Sequence, residues 1–328
     1  MSAARALGAF GSFAATLALA GCLASTPPRA ERSAALRPQA SEARQGDAGR
    51  AQRLSVPNAK ESLKFAVLGD FGTGDRRQRE LAERMALVHD AFPFEFVVLV
   101  GDNIYGAERP QDMKRKFEEP YRTLLDAGVE FYASLGNHDA REQRFYKLFN
   151  MGGRLYYSFK APKQDVRFYA LESTYMEPEQ RAWIEQELAS TREDWKIVFQ
   201  HHPLYSSGGR HGSDRQLREA LEPVFVEHGV DVVLAGHDHI YERTKPQHGI
   251  VHFVAGSGGK LRRGDARRQQ PFSAAVEDET NVFLVIEILD DRLSFNAIAA
   301  DGRIVDAGEF ERSEVAATGR TMAKGAPK

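Results

Sequence analysis

Five apolar runs in this chain each end on a side chain able to hold a metal ion: Asp70, Asp102, Asn137, His201, and the pair His237 and His239. A residue leaving the C-terminal end of a strand points from the rim of its sheet. One rim aspartate means little, because it is often only a helix cap, and a lone histidine is usually a satisfied packing residue. Five such positions are harder to dismiss. Carboxylates and imidazoles are the hard and borderline ligands of iron, zinc and manganese, and six or seven donors suffice for two ions that share one carboxylate.

The elements that must position these groups follow from periodicity. Short apolar strands are expected over 63–68, 96–100 and 130–135, with helices over 77–88 and 114–127 between them. Each of the three strands stops at a Gly-Asp or Gly-Asn step. Strands alternating with helices indicate an α/β layered fold with much parallel pairing, whose ligands gather beyond the strand C-termini. Further on, 155–159 and 166–171 read as antiparallel strands, 178–188 as a helix, 195–200 as a strand, 216–227 as a helix and 230–234 as a strand. The runs 250–254, 282–288, 293–298 and 303–306 then suggest mostly antiparallel strands and a second sheet. No strong linker interrupts 62–308. The expected fold is therefore α/β, a two-sheet β-sandwich flanked by helices in one domain over 61–308.

The ordered segments Gly69-Asp70-Phe71-Gly72, Gly101-Asp102-Asn103-Ile104-Tyr105, Gly136-Asn137-His138-Asp139, His201-His202-Pro203 and Gly236-His237-Asp238-His239 resemble the five blocks of the calcineurin-like metallophosphoesterases. Each block is weak alone, but the set in order is specific, and the resemblance implies a four-layer sandwich. Many members carry a histidine two residues after the first aspartate, where this chain has Gly72. Tyr105 would fill the vacated metal position. That exchange resembles the purple acid phosphatase branch, of the tartrate-resistant type, as does the run His237-Asp238-His239-Ile240-Tyr241-Glu242-Arg243.

The resemblance implies a dinuclear centre. Fe(III) would be held by Asp70, Asp102, Tyr105 and His239, and a divalent iron, zinc or manganese ion by Asp102, Asn137, His201 and His237. A phenolate oxygen suits a hard, highly charged ion. Two such ions acidify a water, so that metal-bound hydroxide attacks phosphorus in line while phosphoryl charge is neutralised. His138 would contact phosphate or protonate the leaving group, with Asp139 able to orient it, and His211 resembles a second substrate histidine of that branch. His201 is assigned to metal, while its neighbour His202 lines the pocket or packs. His89, His228, His248 and His252 read as surface, cap or packing residues.

These expectations make the chain a phosphomonoesterase acting on a small phosphorylated substrate. Alternatives are a diesterase or a nucleotide, phospholipid or phosphoprotein hydrolase on the same centre, and an exported metal-binding protein that does not turn over. Other chemistries lack support. The glycines of 69–74 have the wrong spacing for a dinucleotide turn, Gly256-Ser257-Gly258-Gly259 is no P-loop, and no Gly-x-Ser-x-Gly elbow occurs. The segment 256–268 reads as an exposed loop, with a net charge of +4 over 260–268 from five basic residues and one acidic. It either draws phosphate toward the site or is merely solvated.

Composition and the N-terminus bound the rest. Of 328 residues 42% are hydrophobic and 27% charged, and the formal net charge of −2 gives no reason to expect nucleic-acid recognition. One cysteine, Cys22, excludes an internal disulfide. Residues 1–22 carry a single charge, Arg5, and the step Leu19-Ala20-Gly21-Cys22 resembles a bacterial lipoprotein signal, in which the cysteine is lipidated and begins the mature chain. An ordinary cleaved signal or an uncleaved anchor are the alternatives. The leading reading places the protein in a bacterial cell envelope, anchored to a membrane and facing the periplasm or exterior. Residues 23–60, with seven basic and three acidic side chains, read as a disordered tether, and 309–328 as a tail.

Overall fold

Two sheets meet face to face in a computed structural model that describes residues 54–312. β1 (Leu63–Leu68), β2 (Phe96–Val100) and β3 (Glu130–Ser134) run parallel and are extended on the β1 side by three antiparallel strands, β11 (Val282–Leu289), β12 (Arg292–Ala299) and β13 (Ile304–Glu311). The first sheet thus has the order β13-β12-β11-β1-β2-β3. The second collects β4 (Tyr157–Lys160), β5 (Val166–Ala170), β6 (Trp195–Phe199), β7 (Val232–Ala235), β8 (Tyr241–Thr244), β9 (Val251–Ala255) and β10 (Ser273–Glu277), in the order β10-β8-β9-β7-β6-β5-β4. Phe65 and Phe96 from the first sheet stand edge-on to Phe168 of the second at 5.1 and 5.4 Å, and Phe253 meets Phe295 at 5.1 Å. Aromatic contacts of this kind stitch the inner faces together.

Helices cover the outer faces, completing four layers. α1 (Arg76–Ala91) begins where the Asp75 carboxylate accepts from the Gln78 amide, and buries Leu81, Ala82 and Met85. α4 (Pro178–Ser190) and α5 (Arg215–Glu227) bury Ile184, Leu188, Leu217, Leu221 and Phe225 against Tyr169, Val198 and Val233. Central strands β1, β2, β7 and β9 are buried at every residue, as strands covered on both faces must be.

Several expectations need correction. The helix expected over 114–127 starts earlier, with α2 (Pro110–Met113) running into a π-helical stretch Lys114–Glu118, and is broken before α3 (Arg122–Asp126), where Pro120 has no amide to continue the ladder. The late antiparallel strands β11 to β13 do not build the second sheet but widen the first. β8 and β10 were not anticipated: Tyr-Glu-Arg-Thr and Ser-Ala-Ala-Val-Glu are short and polar or small. β13 reaches Glu311, past the expected domain end at 308.

The folded chain also starts earlier than expected. Val56 is buried, and the Glu287 carboxylate accepts from the amides of Asn58 and Ala59, at 2.6 and 2.5 Å, and from Ser62 Oγ at 2.6 Å. Residues 54–60 are therefore strapped to β11 rather than part of a tether. The signal segment, Cys22 and most of the tether lie outside the described residues. Among those described, no helix is long and apolar enough to cross a membrane.

Candidate metal centre

Six of the seven ligands expected from the sequence sit shortly past a strand end, Asp70 after β1, Asp102 after β2, Asn137 after β3, His201 after β6, and His237 and His239 between β7 and β8, while Tyr105 lies further along the loop that follows β2. Asp70, Asp102 and His237 hold left-handed backbone, with φ of 54°, 49° and 71°. Non-glycine residues adopt this region at a cost, and it persists where the surroundings over-determine it. The glycines beside them allow the loops to meet. A Cβ on Gly236 would stand 2.5 Å from Asp70 Oδ2, and one on Gly72 only 1.8 Å from the Asn103 carbonyl oxygen. Any side chain at Gly72 would force the Asn103–Ile104 backbone to shift, and the Gly72 carbonyl accepts from the Tyr105 amide at 3.0 Å.

Two groups of donor atoms result. In one, His201 Nε2 lies 3.2 Å from Asn137 Oδ1, 3.1 Å from His237 Nδ1 and 3.3 Å from Asp102 Oδ1. In the other, Asp70 Oδ1 lies 3.0 Å from the Tyr105 hydroxyl and 3.3 Å from His239 Nε2, which is itself 3.2 Å from that hydroxyl. Asp70, Asp102 and His201 offer atoms within 4.8 Å of one another, which ties the two groups together.

These residues fit a pair of cations on chemical grounds. His201 Nδ1 is 3.0 Å from the Val100 carbonyl and so carries the proton, which leaves Nε2 a bare lone pair facing a carboxylate oxygen and an amide oxygen. Acceptors turned on one another in a buried place repel unless a cation lies among them. Asp70 and Asp102 are buried and bond no Lys or Arg side chain among the described residues. Burial, then the Asp102 charge, drives the Asp70 carboxyl well above the usual range. Burial likewise keeps the imidazoles neutral and able to ligate, holding His237 down to about 2 and His239 to about 4. The Tyr105 phenol is raised by burial and by Asp70, so only a strongly charged partner would remove its proton.

His138 and His211 are brought to the same place. His138 is exposed at the mouth, its amide donates to Asp102 Oδ1 at 2.9 Å, and its ring lies 5.1 Å from that of Tyr105. His211 is also exposed, 4.2 Å from the His237 ring. Asp139 requires a correction. Its carboxylate does not orient His138 but accepts from the amides of Gly136, Asn103 and Ile104 and from the side chains of Asn103 and Gln143, at 2.8–3.1 Å. It pins the β3 loop to the β2 loop and so sets where Asn137 and Asp102 meet. His202 packs on His237 at 4.3 Å, with Nδ1 2.9 Å from Ser173 Oγ.

Three further contributors were missed. Asp238, between the two histidines of its motif, accepts from Ser206 Oγ at 2.6 Å and the Gly212 amide at 3.0 Å, fixing the His211 loop. The segment 256–268, expected to be an exposed loop, is buried over 256–259, and two of its cations face the site: Lys260 Nζ is 4.6 Å from the Tyr105 ring centre, and Arg262 Nε is 3.3 Å from His239 Nδ1. Its amides at Gly259 and Lys260 donate to the Asp70 carbonyl. The +4 net charge of 260–268 was the available signal. His89 packs on Phe94, His228 ends α5 and His248 lies on the surface near Glu222, in keeping with the bland reading of each.

The calcineurin-like phosphoesterase family model matches residues 63–241, which carry the fold's first strand through the last candidate ligand, and the chain belongs to that family. It is a metal-dependent phosphoester hydrolase. Among curated proteins it is similar to purple acid phosphatase 17 of Arabidopsis thaliana, 28% identical over 253 residues that cover 66% of this chain and 75% of that one. Among solved structures it resembles a purple acid phosphatase, PPD1, from yellow lupin seeds (21% identity, TM-score 0.64, 78% of this chain and 55% of the other). It also resembles GAP50 of Plasmodium, described as an anchor in the inner membrane complex (19% identity, TM-score 0.69, 79% and 95%). Likeness at that identity shows the fold alone. The chemistry must be argued from the residues.

Proposed function

We propose that this protein is an acid phosphatase that hydrolyses phosphomonoesters, with Fe(III) held by Asp70, Asp102, Tyr105 and His239 and a divalent iron, zinc or manganese ion by Asp102, Asn137, His201 and His237. The observation that carries this reading is Tyr105, whose hydroxyl stands 3.0 Å from Asp70 Oδ1 and 3.2 Å from His239 Nε2. A phenol among a carboxylate and an imidazole suits a hard trivalent ion. When bound, such a pair supplies Lewis acidity, an acidified water and neutralisation of phosphoryl charge.

The chain's own groups do the rest. Lys260 and Arg262 draw a dianionic monoester to the mouth and favour it over a singly charged diester. His138, exposed and tied through its amide to Asp102, is placed to hold a proton for the departing alkoxide. His211, against His237, adds a donor for a phosphoryl oxygen. We further propose export and lipid attachment at Cys22, on the strength of Leu19-Ala20-Gly21-Cys22. A Cys22→Ser chain should then leave the membrane fraction.

The test is metal analysis and visible absorption of the purified protein beside release of nitrophenol from a nitrophenyl monoester and diester. Iron, a visible charge-transfer band and faster monoester cleavage are expected. Two divalent ions without the band would remove the ferric assignment, and faster diester cleavage would make the enzyme a diesterase.

A further inference from the structure

We infer that a second phosphate-binding subsite adjoins the metal centre, in the cavity behind His211, and that the substrate is a small polyol or sugar carrying two phosphates. This rests on the phosphatase reading above and names its substrate class. The cavity has a volume of about 360 Å³ and is lined by His211, Ser213, Arg215, Arg218, Arg267 and Gln270, with no Asp or Glu side chain in its wall. That volume lies at the small end of ligand pockets, roughly 300–1,000 Å³. His211 is the partition, since its ring also lies 4.2 Å from the ligand candidate His237.

The three arginines keep their charge for a ligand. None forms an ion pair among the described residues, whereas the next residue in sequence, Arg268, is paired with Asp278. Arg218 is steadied by the Tyr205 ring, 4.5 Å away, and Arg267 by donating to the Gly209 carbonyl at 2.8 Å, contacts that orient a guanidinium without neutralising it. Carboxylates next to the cavity bond its backbone and hydroxyls rather than its arginines: Asp238 Oδ2 accepts from Ser206 Oγ and the Gly212 amide, Glu242 Oε2 from the Ser207 amide, Asp265 from the amides of Gly209 and Arg210, Asp214 from the Leu217 amide, and Glu222 from the Tyr205 hydroxyl, while Asp238 Oδ1 and Glu242 Oε1 are buried without a partner among the described residues. Guanidinium groups converging on one small cavity match phosphate oxygens in charge and in fork geometry. A phosphate held there would anchor the substrate and present its other phosphate to the metal side of His211, so that remote binding energy is used for orientation.

The full-length protein with its native metals would be assayed on a hexitol monophosphate and the matching bisphosphate. The bisphosphate should have a kcat/KM at least about tenfold higher, and Arg215→Gln/Arg267→Gln should cut that preference about tenfold or more. Equal or lower kcat/KM for the bisphosphate, or a preference that survives the double substitution, overturns the inference. If neither ester is cleaved, the phosphatase reading fails, and calorimetric titration with sulfate still decides the subsite. Two sulfates in the wild type and one in the double variant support it, and an unchanged number sinks it. Arg215→Glu gives a second readout on an exposed position, and should push the preference below that of the double variant.

Discussion

The two halves of the metal centre are built from neighbouring loops yet prepared in opposite ways. Around His201 and His237 the donors are nitrogens and an amide oxygen, with the Val100 carbonyl fixing a tautomer that leaves the Nε2 lone pair free. Around Asp70 and Tyr105 the donors are mainly oxygens, closed on one another by the tyrosine proton, with Arg262 against the far nitrogen of His239. The first half is open to a borderline divalent ion as it stands. On the proposed assignment the second must give up a proton that burial makes hard to remove, and would favour a harder and more highly charged ion. In the proposed arrangement a shared Asp102, grouped with Asp70 and His201, would join two such different places into one catalyst.

That comparison breaks most completely at Asp102. Asp102→Ala should lose both ions and lower phosphate release by at least about 10⁴-fold, since the two-metal clamp goes with them. Metal analysis decides: retention of one full equivalent would mean that the halves are independent. Tyr105→Phe tests one half alone. It should abolish visible absorption and reduce turnover by roughly 10²–10³-fold while a divalent ion stays bound at His201 and His237. His138→Ala should touch neither half. Metal content stays the same and kcat falls by about 10²-fold, the low end of general acid catalysis, with the loss smallest for esters of good leaving groups. A uniform loss across leaving groups would remove His138 from proton transfer.

How much of this was legible in sequence depended on whether the cause was local. Strand ends and their following aspartates and histidines announce themselves, because a buried strand is a short apolar run and the rim residue comes next. His211 follows no strand end; only the family resemblance singled it out within its Ser-Gly loop. What failed was set by distant partners. Asp139 looks like an orienter of the adjacent His138 until Asn103, Ile104 and Gln143 are folded over it. β10 owes its existence to pairing with β8, and β11 to β13 owe their sheet to β1, neither of which a local pattern encodes. Arg262 and Lys260 carried a charge signal but no address. The hydrogen bonds of Gly258, Gly259 and Lys260 to the Gly69–Asp70 turn, with those of Gly256 to Ile240 and Arg262 to His239, bring that loop to the candidate ligands.

A buried neutral histidine away from the centre sharpens the contrast further. His252, on β9, is as buried as His201, yet neither of its ring nitrogens has a hydrogen-bond partner and its ring packs 4.9 Å from Tyr205. No acceptors converge on it, so it has burial without a cation's ligand shell. Its pKa is held down to about 3, from an ordinary 6.5, first by burial and then by Arg218 and His248. Below pH 6.5 the unfolded chain takes up a proton that the folded chain refuses, so this residue's contribution is intact above pH 6.5 and is lost as pH falls toward 3. The slope is about 1.4 kcal/mol per pH unit, or roughly 3 kcal/mol by pH 4. His252→Phe keeps a ring against Tyr205 and removes the titration. Denaturant unfolding at neutral and acid pH should then show little change at neutrality and a gain of about 3 kcal/mol over wild type at pH 4. Parallel pH profiles for the two proteins would assign the acid limb to other groups, and unchanged turnover at neutral pH would separate this histidine from those that hold metal.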